Sequence, residues 1–578
     1  MTRGKRNAAI RAFLLSAVML LLASCGGGGT ADESIDDEQD EQEEAGTGTG
    51  AADAGSSPGD RYALLAWNDL GMHCMDGNDY SVFSILPPFN TLNAQLVRNG
   101  KLVTDGVTLT YEATPDLAGS LNTTSIGKTN FWDYSAVLYG ADVPPDTGIT
   151  GTKMASLTPE PMTFNTQHQW FEAEGIPITP VDDDGNTNHY PMARVVARNL
   201  SGEQLASARV VLPVSDEMSC ISCHASTNSL LAIDNAAQPD AGWAQDPDPE
   251  LDWKKNILLL HDETQAGLTL YLDALAANGY DEAGLLATVD NGTPVLCAAC
   301  HGSNALPGTG YDPVPPLTQA MHASHASVLD PATGVQLNDD ENRTACYLCH
   351  PGSRTQCLRG AMGNAKDDKG DATMSCQSCH GNMAQVGDAG RVGWLDQPNC
   401  QACHHDGQRE LVGVDVNGIP LDWGDPRWAT NPDTPEPGFS LFRFSTGHGE
   451  LQCESCHGST HAIFPSANDN DNVLSEELQG HKGTVAECDV CHTSVPRTAD
   501  GGPHGMHAVS QWWVDEHGDH VESTGKQQCT ACHGADYRGS PISKVTEPRI
   551  FDIESGQISY AAGQEAGCYD CHDGPDDD

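Results

Sequence analysis

Basic side chains are scarce in this sequence: 29 Lys and Arg stand against 81 Asp and Glu, a net charge of -52 over 578 residues. Phosphate backbones are held by basic surfaces, so nucleic acid is excluded as a partner, and cationic groups or oxidised metal surfaces are favoured. Core-building residues are scarce as well. Hydrophobic residues make up 38% and aromatic residues 6%, whereas 60 glycines and 34 prolines favour loops. The chain is long enough for roughly two to four domains. Its side chains alone are too thin a supply of interior, so another apolar material has to help.

The one long apolar run, Ala12 to Ala23, is shorter than a comfortable membrane span and follows the basic residues Arg3, Lys5, Arg6 and Arg11. It ends in Leu22-Ala23-Ser24-Cys25, which resembles the lipobox of bacterial lipoproteins. Residues 1–24 therefore read as a lipoprotein signal peptide and Cys25 as the lipid-anchor site. Gly26 in place of Asp after that cysteine suggests the outer membrane or cell surface. Residues 25–60 are rich in Gly, Asp and Glu and have almost no apolar side chain, as expected of an acidic, self-repelling tether. From residue 61 to 215, alternating runs such as RYALLAW, NAQLVRNGKLV, GVTLTYEAT and ARVVARNLSGEQLASARVVLPV predict an antiparallel β-domain. His168 and His189 fall in polar segments of it and read as solvated.

Cysteine is abundant, at 21 residues. Nine times the chain repeats Cys-x-x-Cys-His: Cys220, Cys223, His224; Cys297, Cys300, His301; Cys346, Cys349, His350; Cys376, Cys379, His380; Cys400, Cys403, His404. The repeats continue with Cys453, Cys456, His457; Cys488, Cys491, His492; Cys529, Cys532, His533; and Cys568, Cys571, His572. Two thiols three residues apart reach the two vinyl groups of a haem as thioethers, and the following imidazole turns under the ring to bind iron. A zinc ribbon or a redox dithiol explains one copy but not nine, each followed by His. Nine covalently bound c-type haems are the expected cofactors. They fall at one per about 40 residues between 216 and 578, so porphyrins supply the missing interior. The fold class is therefore mixed: a haem-free β-domain, then a loop and short-helix multihaem cytochrome c region, with a possible sub-boundary at 412–440.

A haem with His on both faces only passes electrons, whereas one with an open face can act on a substrate. Of 23 histidines, 14 lie outside the motifs. The expected distal ligands are His261, His322, His325, His448, His461, His481, His504, His507 and His517. His322 and His325 lie three apart on a predicted helix and can serve two neighbouring haems. The two cysteines left over, Cys74 and Cys357, read as a disulfide, worth about 3 to 5 kcal/mol in the chain-entropy view. His73, beside Cys74, is a spare distal ligand.

With these motifs in view, the region 216–578 and the lipobox resemble nonahaem and other multihaem c-type cytochromes of metal-respiring bacteria. FSTGHGELQCESCHGSTHAIF, QGHKGTVAECDVCH and GPHGMHAVSQWW look like stretches of Geobacter-type outer-surface cytochromes. The resemblance implies closely packed bis-His haems that pass electrons to metal oxides, other multihaem cytochromes or outer-membrane conduit proteins. It implies an electron-transfer protein rather than an enzyme, with no catalytic residue. Two alternatives stay open: a multihaem reductase of small nitrogen or sulfur oxyanions with one open-sided haem, and a subunit of an extracellular cytochrome filament.

Overall fold

A computed structural model describes residues 60–217, 220–227, 237–303, 306, 308–367, 369–391, 446–496, 502–540 and 543–575. The signal peptide, nearly all of the tether, Cys25, the motif Cys400, Cys403, His404 and the boundary at 412–440 lie outside the described residues.

The expected β-region is present between Tyr62 and Ser215. One antiparallel sheet contains β1 (Tyr62–Asn68), β4 (Phe89–Arg98), β5 (Lys101–Val103), β8 (Thr163–Asn165) and β9 (Trp170–Pro177). A second holds β6 (Val107–Thr114), β7 (Glu160–Pro161), β10 (Met192–Asn199) and β11 (Gln204–Val211), in the order β11-β10-β6-β7. Alternate residues of both sheets, among them Leu64, Leu92, Leu96, Tyr111, Val195 and Val210, meet in one buried cluster. Period-two alternation is what puts them on one face. β1 departs from that alternation because it is buried on both faces. Ala63 and Leu65 point the other way and pack on Val97 and Val490, far along the chain.

The β-region does not close on itself. Phe464 and Leu474 complete the sheet core, and residues 51–578 cluster as one compact unit. Two short parallel pairings reinforce this: β2 (His73–Cys74) with β12 (Val214–Ser215), and β3 (Phe83–Ser84) with β13 (Val295–Leu296). Helix α1 (Phe131–Tyr139) buries Phe131 in an aromatic nest, 5.0 Å from Tyr80 and 5.4 Å from Phe89. Glu217 ties the end of the β-region to a later loop. Its carboxylate accepts from Ser353, from the Thr355 hydroxyl and from the amides of Arg354 and Thr355. Burial opposes its charge, but these donors outweigh it and hold the carboxyl down to about 2.

Beyond the sheets the chain is loop with short helices. The longer helices are α2 (Pro249–Thr264), α3 (Thr269–Asn278), α4 (Leu285–Asp290), α5 (Leu317–His325), α6 (Asp469–Gln479) and α7 (Gln511–Thr524). None of the described helices is long and apolar enough to cross a membrane. A final hairpin pairs β14 (Arg549–Ile553) with β15 (Gly556–Tyr560).

Candidate metal centres

Each described Cys-x-x-Cys-His motif forms a single helical turn. The amide of the histidine donates to the carbonyl of the first cysteine, as in His224 to Cys220 at 2.9 Å and His350 to Cys346 at 2.8 Å. One turn puts positions i, i+3 and i+4 on the same face, so both thiols and the imidazole point one way. Numbered by motif order, eight of the nine motifs are described.

In all eight, the motif histidine faces a second histidine. Pair 1 is His224 with His325, ring centres 6.4 Å apart; pair 2 is His301 with His261 at 6.3 Å; pair 3 is His350 with His322 at 6.2 Å. Pair 4 is His380 with His461 at 5.9 Å; pair 6 is His457 with His504 at 6.0 Å; pair 7 is His492 with His448 at 6.0 Å. Pair 8 is His533 with His507 at 6.2 Å, and pair 9 is His572 with His517 at 5.8 Å. A metal with bonds of about 2 Å to one nitrogen on each side, with about 1 Å more to each ring centre, separates the centres by about 6 Å. The spacing suits one metal ion between each pair, and is too long for rings in van der Waals stacking.

The second ring nitrogen is tied back to a backbone carbonyl in seven of these sixteen residues. Nδ1 donates to a backbone carbonyl in His301 (Pro315, 2.9 Å), His322 (Thr318, 2.7 Å) and His325 (Met321, 2.8 Å). The same holds in His461 (Leu70, 2.9 Å), His507 (Ala508, 3.2 Å), His517 (Val514, 3.0 Å) and His533 (Ala566, 2.7 Å). A donating Nδ1 fixes the tautomer with the lone pair on Nε2 and aims the ring, which is how metal-binding imidazoles are oriented. His224 and His261 are exceptions, each with a buried Nδ1 that has no hydrogen-bond partner among the described residues. Burial pushes His224, His350 and His507 down to about 4 and His380 to about 3, which keeps these rings neutral and able to donate a lone pair. Burial also lowers His461, but the neighbouring Cys357 and Cys376 outweigh it and raise the ring to about 9.

One continuous cavity of about 4180 Å³ runs through the molecule and is lined by seven of the eight pairs and by His448 of pair 7. A cofactor pocket takes about 300 to 1,000 Å³, so this space equals roughly four to fourteen such pockets. Eight pairs and a shared void lined by fourteen motif cysteines fit a row of large flat prosthetic groups better than they fit isolated metal ions.

Eight of the nine distal candidates thus face a motif histidine; His481 faces none of the described motif histidines. Its Nδ1 donates to the Lys482 carbonyl and its Nε2 lies 3.3 Å from Glu487. His481, Glu487 and Glu547 converge closely enough to hold an ion. Arg549 already sits on both carboxylates, however, so the cluster is satisfied without metal. His73 is also committed elsewhere, with Nε2 2.6 Å from Asp69. His189 is not solvated: it is buried, and its Nδ1 donates to Val214 at 3.1 Å. His168 stacks on Trp170 at 4.6 Å.

The Cys74–Cys357 disulfide expected from cysteine arithmetic is not formed; both residues are free thiols. They lie within electrostatic reach of each other, but Cys357 hydrogen-bonds His461 instead. Latching here is done by other contacts. Gly71, at a left-handed φ of 76°, lies so close to the Thr460 carbonyl that any side chain would overlap it. Both thiols should resist alkylation in the folded protein, and both should label after denaturation without reductant. Mass spectrometry showing no label would restore the disulfide.

Comparisons with protein-family models, with curated proteins and with solved structures find no match to this chain.

Proposed function

We propose that the chain is an electron conduit that carries a c-type haem at each Cys-x-x-Cys-His motif. The observation behind this reading is that every described motif histidine has a second imidazole opposite it at 5.8 to 6.4 Å. Haem bound at such a pair supplies one-electron exchange at iron. The protein's part would be to hold it: the two motif thiols would bind the porphyrin edge, the two facing imidazoles would supply the iron-binding nitrogens, and backbone carbonyls orient seven of those rings. At the eight described pairs, with an imidazole on each side, a substrate would find no open face. This favours passage of electrons over the reductase alternative, which needs an open face. Export as a lipoprotein anchored at Cys25 to the outer membrane or cell surface fits the same reading, with metal oxides, other multihaem cytochromes or outer-membrane conduits as partners. The filament alternative has no observation in its favour.

Intact mass of the purified protein should show nine haem additions, and seven or fewer would overturn the proposal. Low-temperature electron paramagnetic resonance gives a second readout. Pairs 8 and 3 have nearly parallel ring planes, at 8° and 16°, whereas pairs 2 and 1 approach perpendicular, at 87° and 68°. Parallel axial planes split the two π-type d orbitals of ferric iron, and perpendicular planes leave them nearly degenerate. The expected spectrum therefore contains both rhombic and strongly anisotropic low-spin signals. A high-spin signal that shifts with nitrite or hydroxylamine would favour the reductase.

A further inference from the structure

We infer that the eight described histidine pairs form a branched series, with pair 6 as a node that meets pairs 4, 7 and 8. The inference rests on the haem reading above, but it concerns which pairs are neighbours.

One arm follows from short spacers between ligands of different pairs. His322 and His325 lie one helical turn apart on α5 and belong to pairs 3 and 1. Residues three apart on a helix have Cβ atoms about 5 to 6 Å apart, so these two pairs are adjacent. Cys220 of motif 1 and Cys297 of motif 2 pack on the same apolar cluster, which puts pair 2 beside pair 1. Gln377 inside motif 4 donates to the Asn342 carbonyl at 3.2 Å, and Arg343 donates to Ser378 of motif 4 at 2.6 Å; Asn342 and Arg343 lie just before Cys346 of motif 3, so pairs 3 and 4 are joined. The arm therefore runs 2, 1, 3, 4, and sequence order is broken at its first step.

The node comes next. His461 of pair 4 follows His457 of pair 6 by four residues. His504 of pair 6 and His507 of pair 8 are three residues apart on the far side of the cavity. His448 of pair 7 lies five residues before Cys453 of motif 6, and Val485, three residues before Cys488 of motif 7, donates its amide to the Cys456 carbonyl at 2.9 Å. Pair 6 thus touches three neighbours.

Pair 8 leads on to pair 9. The ring of Trp513 stacks on His507 at 4.1 Å and 10°, and its centre is 6.3 Å from His517. The Nδ1 of His533 is held by Ala566, two residues before Cys568 of motif 9. Pair 7, in contrast, turns away onto the β-region. Gly100 leaves no room for a side chain beside His492, Asp489 lies 3.7 Å from Arg61, and Val490 fills the outer face of β1. Glu487, beside Cys488 of motif 7, also pairs with Arg549 of the final hairpin, and Cys571 of motif 9 is exposed.

From pair 6 an electron therefore has three described ways to go, toward pair 4, pair 7 or pair 8. A chain with its haems in sequence order would have two ends and would place pair 7 between pairs 6 and 8. Anomalous scattering at the iron edge, from crystals of the full haem-loaded chain, decides between them. The expected result is that, among the irons of the eight described motifs, the three nearest that of motif 6 belong to motifs 4, 7 and 8, with the 7-to-8 separation longer than either 6-to-7 or 6-to-8. An iron of motif 7 that is nearer to that of motif 8 than the iron of motif 6 is would overturn the branch. An absence of iron at the motifs would instead remove the haem reading itself.

Discussion

Replacing Arg359 by Ala should destabilise the loaded protein by about 3 to 5 kcal/mol, the range for breaking a buried ion pair by removing one partner. The guanidinium and the Asp471 carboxylate are exposed by only 1% and 2%, and they meet through two bonds of 2.7 and 2.8 Å. Arg359 also donates to the Gly71 carbonyl and lies over the Tyr190 ring at 5.0 Å. One side chain therefore joins the loop after motif 3, helix α6 and two parts of the β-region. Removing it strands the Asp471 charge with Ser466 as its remaining hydroxyl donor. The double variant R359M/D471L should recover most of the loss, because an apolar pair carries no desolvation penalty. Guanidinium unfolding followed by circular dichroism measures both, and equal losses in the single and double variants would argue against a buried-charge origin.

A larger effect is expected when the chain is made without haem attachment. Among the described residues from 300 onward only eight apolar side chains are fully buried, whereas the β-region and the helices α2 to α4 hold four dozen of the core between them. The cavity of about 4180 Å³ runs along the poor half. Empty space of this size removes the packing partners of everything that lines it. Limited proteolysis of the haem-free chain should therefore cut throughout 300–578 while the sheets persist longer, and mass spectrometry of the fragments maps the boundary. Equal protease resistance with and without haem would contradict this.

What the sequence revealed divides along range. The Cys-x-x-Cys-His turns are local: spacing i, i+3, i+4 is itself the geometry, so all eight described motifs take the expected form. The strands of the four alternating runs were equally legible, because period two survives wherever one sheet face is buried. Helix α1 was not. FWDYSAVLY is rich in aromatic and β-branched residues, which favour strands, and only its tertiary nest of Tyr80 and Phe89 selects the helix. The distal candidates could be recognised as a set but not matched to motifs. His448 lies beside motif 6 in sequence yet faces His492, 44 positions on, because pairing is decided by how the loops stack. The disulfide failed for a related reason. Counting leftover cysteines says nothing about where their side chains point, and Cys357 turns to His461.

The facing histidines have a topological consequence. Each pair joins segments that are distant in the chain: His224 with His325 spans a loop of about 100 residues, a size for which a cross-link is worth about 4.7 kcal/mol in the chain-entropy view. Once ligated, the pairs act as staples that shrink the unfolded ensemble, and because the loops interlock, opening one still leaves its neighbours closed. A polypeptide too poor in apolar residues to hold itself together can thus be stable by having little freedom to gain when it unfolds.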